Sequence, residues 1–164
     1  MEAIMAVENL IAVGATPSDS RLSHGMGGDV KSFSRTVEIT AAATVASTYV
    51  FGYVPLGARI LGISRVSYDD CASSGAPTLD IGFFPVDSNF TGAADNINDG
   101  LTLATAAKDQ PLIKDISNYG KRAWQFISGA TADTKGQAII KGTLVDADAN
   151  TGGTVTIEVF FLVP

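Results

Sequence analysis

Residues 154–163, TVTIEVFFLV, alternate apolar and polar side chains with the two-residue period of a β-strand. One face is continuously apolar and consists of Val155, Ile157, Val159, Phe161 and Val163. Phe160 and Leu162 interrupt the polar face, so this strand end is predicted to be covered on both sides. The cover is either a subunit contact or the chain's own loops.

The preceding segment, residues 137–145 (QAIIKGTLV), has the same period, and a polar stretch at 146–153 separates the two. This pattern predicts a long C-terminal hairpin. Further strands are predicted at 33–39, 48–54, 59–68 and 78–84, and shorter ones at 111–116 and 123–128. Residues 101–107, LTLATAA, are predicted as a short helix. About eight short strands without a long amphipathic helix predict an all-β, antiparallel sandwich or barrel, a class that includes the jelly roll.

The N-terminal part differs from the rest of the chain. Residues 1–13 are apolar, and the sequence leaves open a short helix, an edge strand or an extended arm. Residues 14–29, GATPSDSRLSHGMGGD, are typical of a flexible linker. We therefore expect an N-terminal arm and linker over 1–29 and a β-sandwich domain over 30–164. The arm either docks on a partner or packs on its own domain.

Composition limits the classes of partner. The chain has 17 acidic and 11 basic residues, a formal charge of −6, so non-specific nucleic-acid binding is not expected. No apolar run is long enough to span a bilayer, and no basic segment precedes the apolar N-terminus as in a secretory signal. A single cysteine excludes an intrachain disulfide. We expect synthesis in the cytoplasm and no membrane partner.

The sequence predicts no catalytic residues and no cofactor. His24 is the single histidine and lies in the Gly-rich stretch, which gives little support for a triad or a histidine-based metal site. Cys71 follows Asp69 and Asp70, whose charges are expected to raise the pKa of its thiol. Nucleotide-binding glycine motifs are absent.

One loop resembles the first half of a calcium-binding loop. Asp146, Asp148 and Asn150 place oxygen ligands at alternate positions, but Thr151 and Ile157 stand where the turn glycine and the bidentate acid belong. The loop 146–153 is therefore predicted to connect two strands without a metal. A second acidic cluster, Asp95–Asp99, carries Ile97 at a ligand position and is a weaker candidate.

Residues 48–84 also carry a family resemblance. The segment TYVFGYVPLGARILGISRVSYDD at 48–70 and the segment APTLDIGFFPVD at 76–87 resemble decoration (cement) proteins of tailed bacteriophages. The shared features are the Pro55–Ala58 turn, the acidic end at Asp69-Asp70 and the strand Thr78–Gly82. The C-terminal GGTVTIEVFFLV is also similar to theirs. The resemblance spans roughly residues 30–164.

The resemblance implies a structural virion protein with a jelly-roll-like fold and no enzymatic activity. Such a protein binds the outside of an icosahedral phage head and bridges neighbouring major capsid subunits. The implied partners are the major capsid protein and the chain itself, as a homotrimer rather than a homodimer. The alternative is a carbohydrate- or receptor-binding β-module of a fibre or head spike, which an exposed Trp124 would favour. A β-sandwich hydrolase is a third hypothesis.

Overall fold

The computed structural model describes residues 9–11, 30–132 and 134–163. Within these ranges, ten strands form two sheets that pack face to face. The strands are β1 (Asn9–Ile11), β2 (Val30–Ile39), β3 (Thr48–Pro55), β4 (Arg59–Ile60), β5 (Arg65–Tyr68), β6 (Thr78–Pro85), β7 (Asn98–Thr102), β8 (Ala107–Pro111), β9 (Gln137–Val145) and β10 (Gly153–Leu162). Two short 3-10 helices, Ile116–Asn118 and Ala123–Phe126, lie between β8 and β9.

The strand order is that of a jelly roll. The first sheet runs β1-β3-β9-β6-β7 and the second β2-β10-β5-β8, with β4 also paired to β10. From β2 to β10, leaving β4 aside, each connection crosses from one sheet to the other. The exception is the connection from β6 to β7, which are neighbours in the first sheet. All pairs are antiparallel except β1 with β3. The predicted all-β antiparallel sandwich is confirmed.

The core lies between the inner faces of the two sheets. Leu79, Ile81 and Phe83 of β6 are fully buried, as their alternation predicts. On β10, Val155, Ile157, Val159 and Phe161 are also buried, and together they line the opposite wall. Burying a side chain of this size contributes about 1.5–3 kcal/mol, so these two strands anchor the sandwich.

The predicted C-terminal hairpin is wrong. Strands β9 and β10 lie in different sheets: β9 pairs with β3 and β6, whereas β10 pairs with β2, β4 and β5. Both segments alternate because each buries one face against the other sheet. Alternation reports the buried face and carries no information about which strand is the hydrogen-bonded neighbour.

Four other predicted elements differ in the structure. The expected helix at 101–107 is the end of β7, a turn and the start of β8. The expected strand at 111–116 is mainly loop, and the one at 123–128 contains a 3-10 helix. The strand expected over 59–68 is broken between β4 and β5, where Ser64 N–H donates to Leu61 O at 3.0 Å.

The segment 91–97 crosses the outer face of β6. Gly82 and Gly92 permit this close approach, because a Cβ at Gly82 would lie 1.9 Å from Ala93 O and one at Gly92 would lie 2.3 Å from Phe83 O. The Asn96 side chain fixes the segment, accepting from Phe83 N–H at 2.8 Å and donating to Phe126 O at 2.9 Å. This covered face explains why Gly82 is buried although it points outward.

Only residues 9–11 of the N-terminal part are described. They form β1, which pairs in parallel with Thr48–Val50 at the edge of the first sheet. In this part of the arm, an edge strand on the chain's own domain is therefore observed. The predicted linker over 14–29 and His24 lie outside the described residues.

Candidate interaction surface

Cys71 lies in the loop that follows β5 and is fully buried. Burial, followed by the negative charges of Asp69 and Asp70, raises the pKa of its thiol to about 11. The predicted direction is confirmed, with burial as the larger cause. A thiol that stays protonated at neutral pH is a poor nucleophile, so this residue is placed as a small core side chain.

The oxygen-rich loop after β9 holds three other segments of the chain. Its side chains accept hydrogen bonds as follows: Asp146 Oδ2 from Thr78 Oγ1 (2.6 Å), Asp148 Oδ1 from Val45 N–H (2.7 Å) and Asn150 Oδ1 from Ser73 N–H (2.7 Å). These oxygens point to separate donors instead of one centre. Among the described residues, no group of three or more His, Cys, Asp or Glu side chains is placed to hold a metal ion.

Asp80 lies on the outer face of β6 near other carboxylates. Burial raises its pKa, the nearby charges of Asp99, Asp95 and Asp146 act in the same direction, and the hydrogen bond from Gly100 opposes them. That bond, Gly100 N–H to Asp80 Oδ1 at 2.9 Å, ties β7 to β6. The carboxyl therefore has a structural role in joining two strands.

Trp124 lies in the second 3-10 helix and is half-buried against the core. Its backbone N–H donates to Leu56 O at 3.0 Å, which fixes this helix beside the turn that ends β3. The indole is therefore not the fully exposed platform that a sugar-binding module presents.

Within the described residues, no helix has the length and apolar character to cross a bilayer.

A cleft of about 280 Å³ opens between the edge strands β7 and β8. Asn98, 3% exposed, lines it and donates through Nδ2 to Pro111 O (3.3 Å) and Leu112 O (3.1 Å). These two carbonyls fix the orientation of the amide. Its Oδ1 is buried without a hydrogen-bond partner in the described structure, an arrangement that suits an ordered water.

Exposed large apolar side chains concentrate at one end of the sandwich. We call this the apolar end. It consists of residues 56–64 and 112–122, together with Val86 after β6, Val30 at the start of β2 and residues 160–162 at the end of β10. Of the six exposed large apolar side chains described, five lie there: Val30, Ile63, Val86, Ile116 and Tyr119. The sixth, Val45, lies at the opposite end, where β3 begins.

Two loops meet at the centre of the apolar end. A Cβ on Gly62 would lie 3.1 Å from the Tyr119 ring, and the backbones of Arg59 and Arg122 form an isolated bridge. Ile63 is 55% exposed, Tyr119 45% and Ile116 79%. Single exposed apolar side chains are common on protein surfaces, whereas exposed apolar side chains grouped on two adjoining loops mark a candidate contact surface.

Phe160 and Leu162 lie beside this surface and are half-buried. The chain's own loop reaches them: Leu61 N–H donates to Phe160 O (2.8 Å), and Phe160 N–H donates to Ser64 Oγ (2.9 Å). These bonds place the loop beside β10, and both side chains remain partly exposed. The two side chains extend the apolar end along the outer face of β10.

The alternating pattern did not predict this surface, because it indicated that Ile63 and Ile116 lie in strands. A glycine inside a predicted strand often marks a break or a close backbone approach. Gly62 does both here, since the chain turns there and the Tyr119 ring packs on it. That glycine was the available signal for a loop carrying an exposed isoleucine.

Comparison with solved structures finds this fold in phage particles. A chain of the cyanophage Pam1 capsid asymmetric unit superposes with a TM-score of 0.55 and 20% identity, over 92% of this chain and 98% of that one. A chain of the capsid of Ralstonia phage GP4 gives 0.62 and 13%, over 94% and 98%. No family model matches this chain. No curated protein sequence matches it either. At these identities the likeness establishes the fold.

Proposed function

We propose that this protein is a structural component of a phage virion, specifically a decoration (cement) protein. It binds the outside of an icosahedral head and bridges neighbouring major capsid subunits. Its partners are the major capsid protein and two further copies of itself in a homotrimer. The role requires neither cofactor nor enzymatic activity.

The observation that carries the proposal is the near-complete correspondence with chains from two phage capsids. In both cases 98% of the other chain is matched, so those chains contain little beyond this fold. The sequence resemblance to decoration proteins over residues 30–164 supports the same role independently of the superposition. Fold alone does not determine function, so the surface supplies the remaining argument.

The physical properties of the domain suit an adhesive role. A jelly roll is a rigid body, and the apolar end offers exposed side chains that lose water on contact. A symmetric oligomer presents the same patch several times, which raises the effective concentration of each further contact. Individually weak contacts then add up to strong reinforcement of a shell.

The test is co-sedimentation of the purified full chain with empty heads of the phage that encodes it, depleted of this protein. We expect saturable binding to the heads, no comparable binding to unassembled major capsid protein, and a trimer mass in solution. Heads with bound protein should withstand a higher temperature than depleted heads. Absence of binding to heads would overturn the proposal.

A further inference from the structure

We propose that the apolar end is the face that docks on the shell, and that the partner surface there is acidic. This inference rests on the proposed function for the identity of the partner as capsid protein. It adds which end of the molecule makes the contact and the charge of the surface that receives it.

The segments that meet at the apolar end are basic in an otherwise acidic chain. Residues 59–65 and 112–122 contain Arg59, Arg65, Lys114, Lys121 and Arg122 but one acid, Asp115, a net charge of +4 against −6 for the whole chain. Half of the ten lysines and arginines in the described part of the chain therefore lie on these two segments. Ile63, Ile116 and Tyr119 lie on the same two segments.

The hydrogen bonds of three of these cations leave their charge available, whereas Lys114 shares a cleft with Asp95, Asp99 and Asp115. Arg65 Nη1 donates to Gly62 O (3.0 Å) and Arg122 Nη1 to Gly57 O (2.7 Å). Lys121 Nζ donates to Asn118 Oδ1 (2.7 Å). All three acceptors are neutral oxygens. The bonds orient the cations without neutralising them, so an incoming carboxylate gains a charge-assisted partner that is already ordered.

The opposite end has the reverse character. Its loops, residues 40–47, 69–77, 103–106 and 146–152, contain Asp69, Asp70, Asp146 and Asp148 and no lysine or arginine. Of the exposed large apolar side chains described, only Val45 lies there. These loops therefore carry a net charge of −4, against +4 for residues 59–65 and 112–122.

Charge complementarity selects the occupant. Two apolar ends facing each other would bring ten cations together, which opposes a symmetric contact between copies through this face. Nucleic acid would pair with the cations but leave Ile63 and Ile116 without apolar partners. An acidic protein surface with an apolar centre satisfies both features, because complementary charge steers the encounter and apolar burial stabilises the complex.

The experiment measures binding of the full chain to depleted heads for two double variants. Ile63→Ser with Ile116→Ser removes the apolar centre, and Arg59→Glu with Lys114→Glu reverses two exposed charges. We expect each to raise the Kd at least tenfold, and the charge variant also to flatten the salt dependence. The matched controls, Val45→Ser and Lys108→Glu, lie away from this end and should stay within twofold of wild type.

The outcomes separate the docking surface from the function. If the wild type binds heads and both double variants bind equally well, the docking face is wrong while the cement role stands. If the wild type fails to bind heads, the proposed function itself fails. If the apolar variant is no longer a trimer but each subunit still binds heads as tightly as wild type, the apolar end contacts a second copy of the chain. Tighter binding to duplex DNA than to heads would identify nucleic acid, and either result overturns the inference.

Discussion

Replacing Gly82 with alanine tests whether the segment 91–97 is held against β6 as tightly as the structure indicates. The new Cβ would lie 1.9 Å from Ala93 O, whereas real Cβ atoms essentially never approach closer than 3.0 Å. The carbonyl must therefore retreat by at least 1.1 Å, the difference between these distances. Because the obstructing atoms are backbone, no side-chain rotation relieves the clash.

The cost follows from the hydrogen bonds that such a retreat disturbs. Ile97 N–H donates to Ile81 O at 3.0 Å, Phe83 N–H donates to Asn96 Oδ1 at 2.8 Å, and Thr91 and Ser128 exchange two backbone bonds. Losing two or three of these, at about 1 kcal/mol each, lowers the free energy of unfolding by about 2–3 kcal/mol. A change of this size is easily measured in a domain of ordinary stability.

The assay is urea unfolding followed by the fluorescence of Trp124, at one fixed protein concentration. Gly152→Ala is the matched control, since its Cβ would meet Ile39 O at 3.5 Å and Ala41 N at 3.7 Å, which are ordinary contacts. We expect the control within about 0.5 kcal/mol of wild type. If Gly82→Ala also stays within that range, the packing of segment 91–97 on β6 is not as described.

Three further predictions concern strain, the buried thiol and the arm. Ala46 has a φ of 73°, in the left-handed region. Ala46→Gly should raise the free energy of unfolding by about 0.5–1 kcal/mol, because the relief of backbone strain outweighs the entropy that glycine adds to the unfolded state. A lower urea midpoint for the variant would contradict this. Cys71 should resist a thiol reagent in the native state at pH 8 and react in urea. Because its pKa is raised from 9.0 to about 11, its contribution to stability should be complete below pH 9 and lost as the pH rises through about 11, and Cys71→Ala should abolish that component. If residues 1–13 dock on a partner, their deletion should leave the melting temperature nearly unchanged and weaken attachment to heads. A large fall in melting temperature would refute docking and show that the pairing of residues 9–11 with β3 stabilises the domain.

The sequence predicted buried faces well and neighbours poorly. The inward faces of β6 and β10 are as expected, because period-two burial is a local property of each strand. The β9–β10 hairpin failed since pairing depends on which sheet each strand joins, a property of the whole fold. The helix expected at 101–107 failed because tertiary pairing of Leu79 with Leu101 overrides the helix propensity of alanine.

The interaction surface was harder to predict than the fold. The absence of a catalytic set in the sequence allowed the prediction of a non-enzymatic protein, but it did not indicate where contact occurs. Ile63 and Ile116 look like core residues in a hydropathy pattern, and their exposure depends on the break at Gly62 and on the meeting of two loops distant in sequence. Adjacency of such loops is a consequence of sheet topology, which periodicity does not determine.

The position of β10 has a consequence for how the protein is made. This strand is hydrogen-bonded to β2, β4 and β5, and residue 30 is in register with residue 162. During synthesis, β2, β4 and β5 therefore leave the ribosome before β10, the strand that pairs with all three. Unpaired strand edges are prone to aggregate in the interval. We expect refolding to be slow for the chain length, and versions truncated before residue 153 to accumulate as insoluble material.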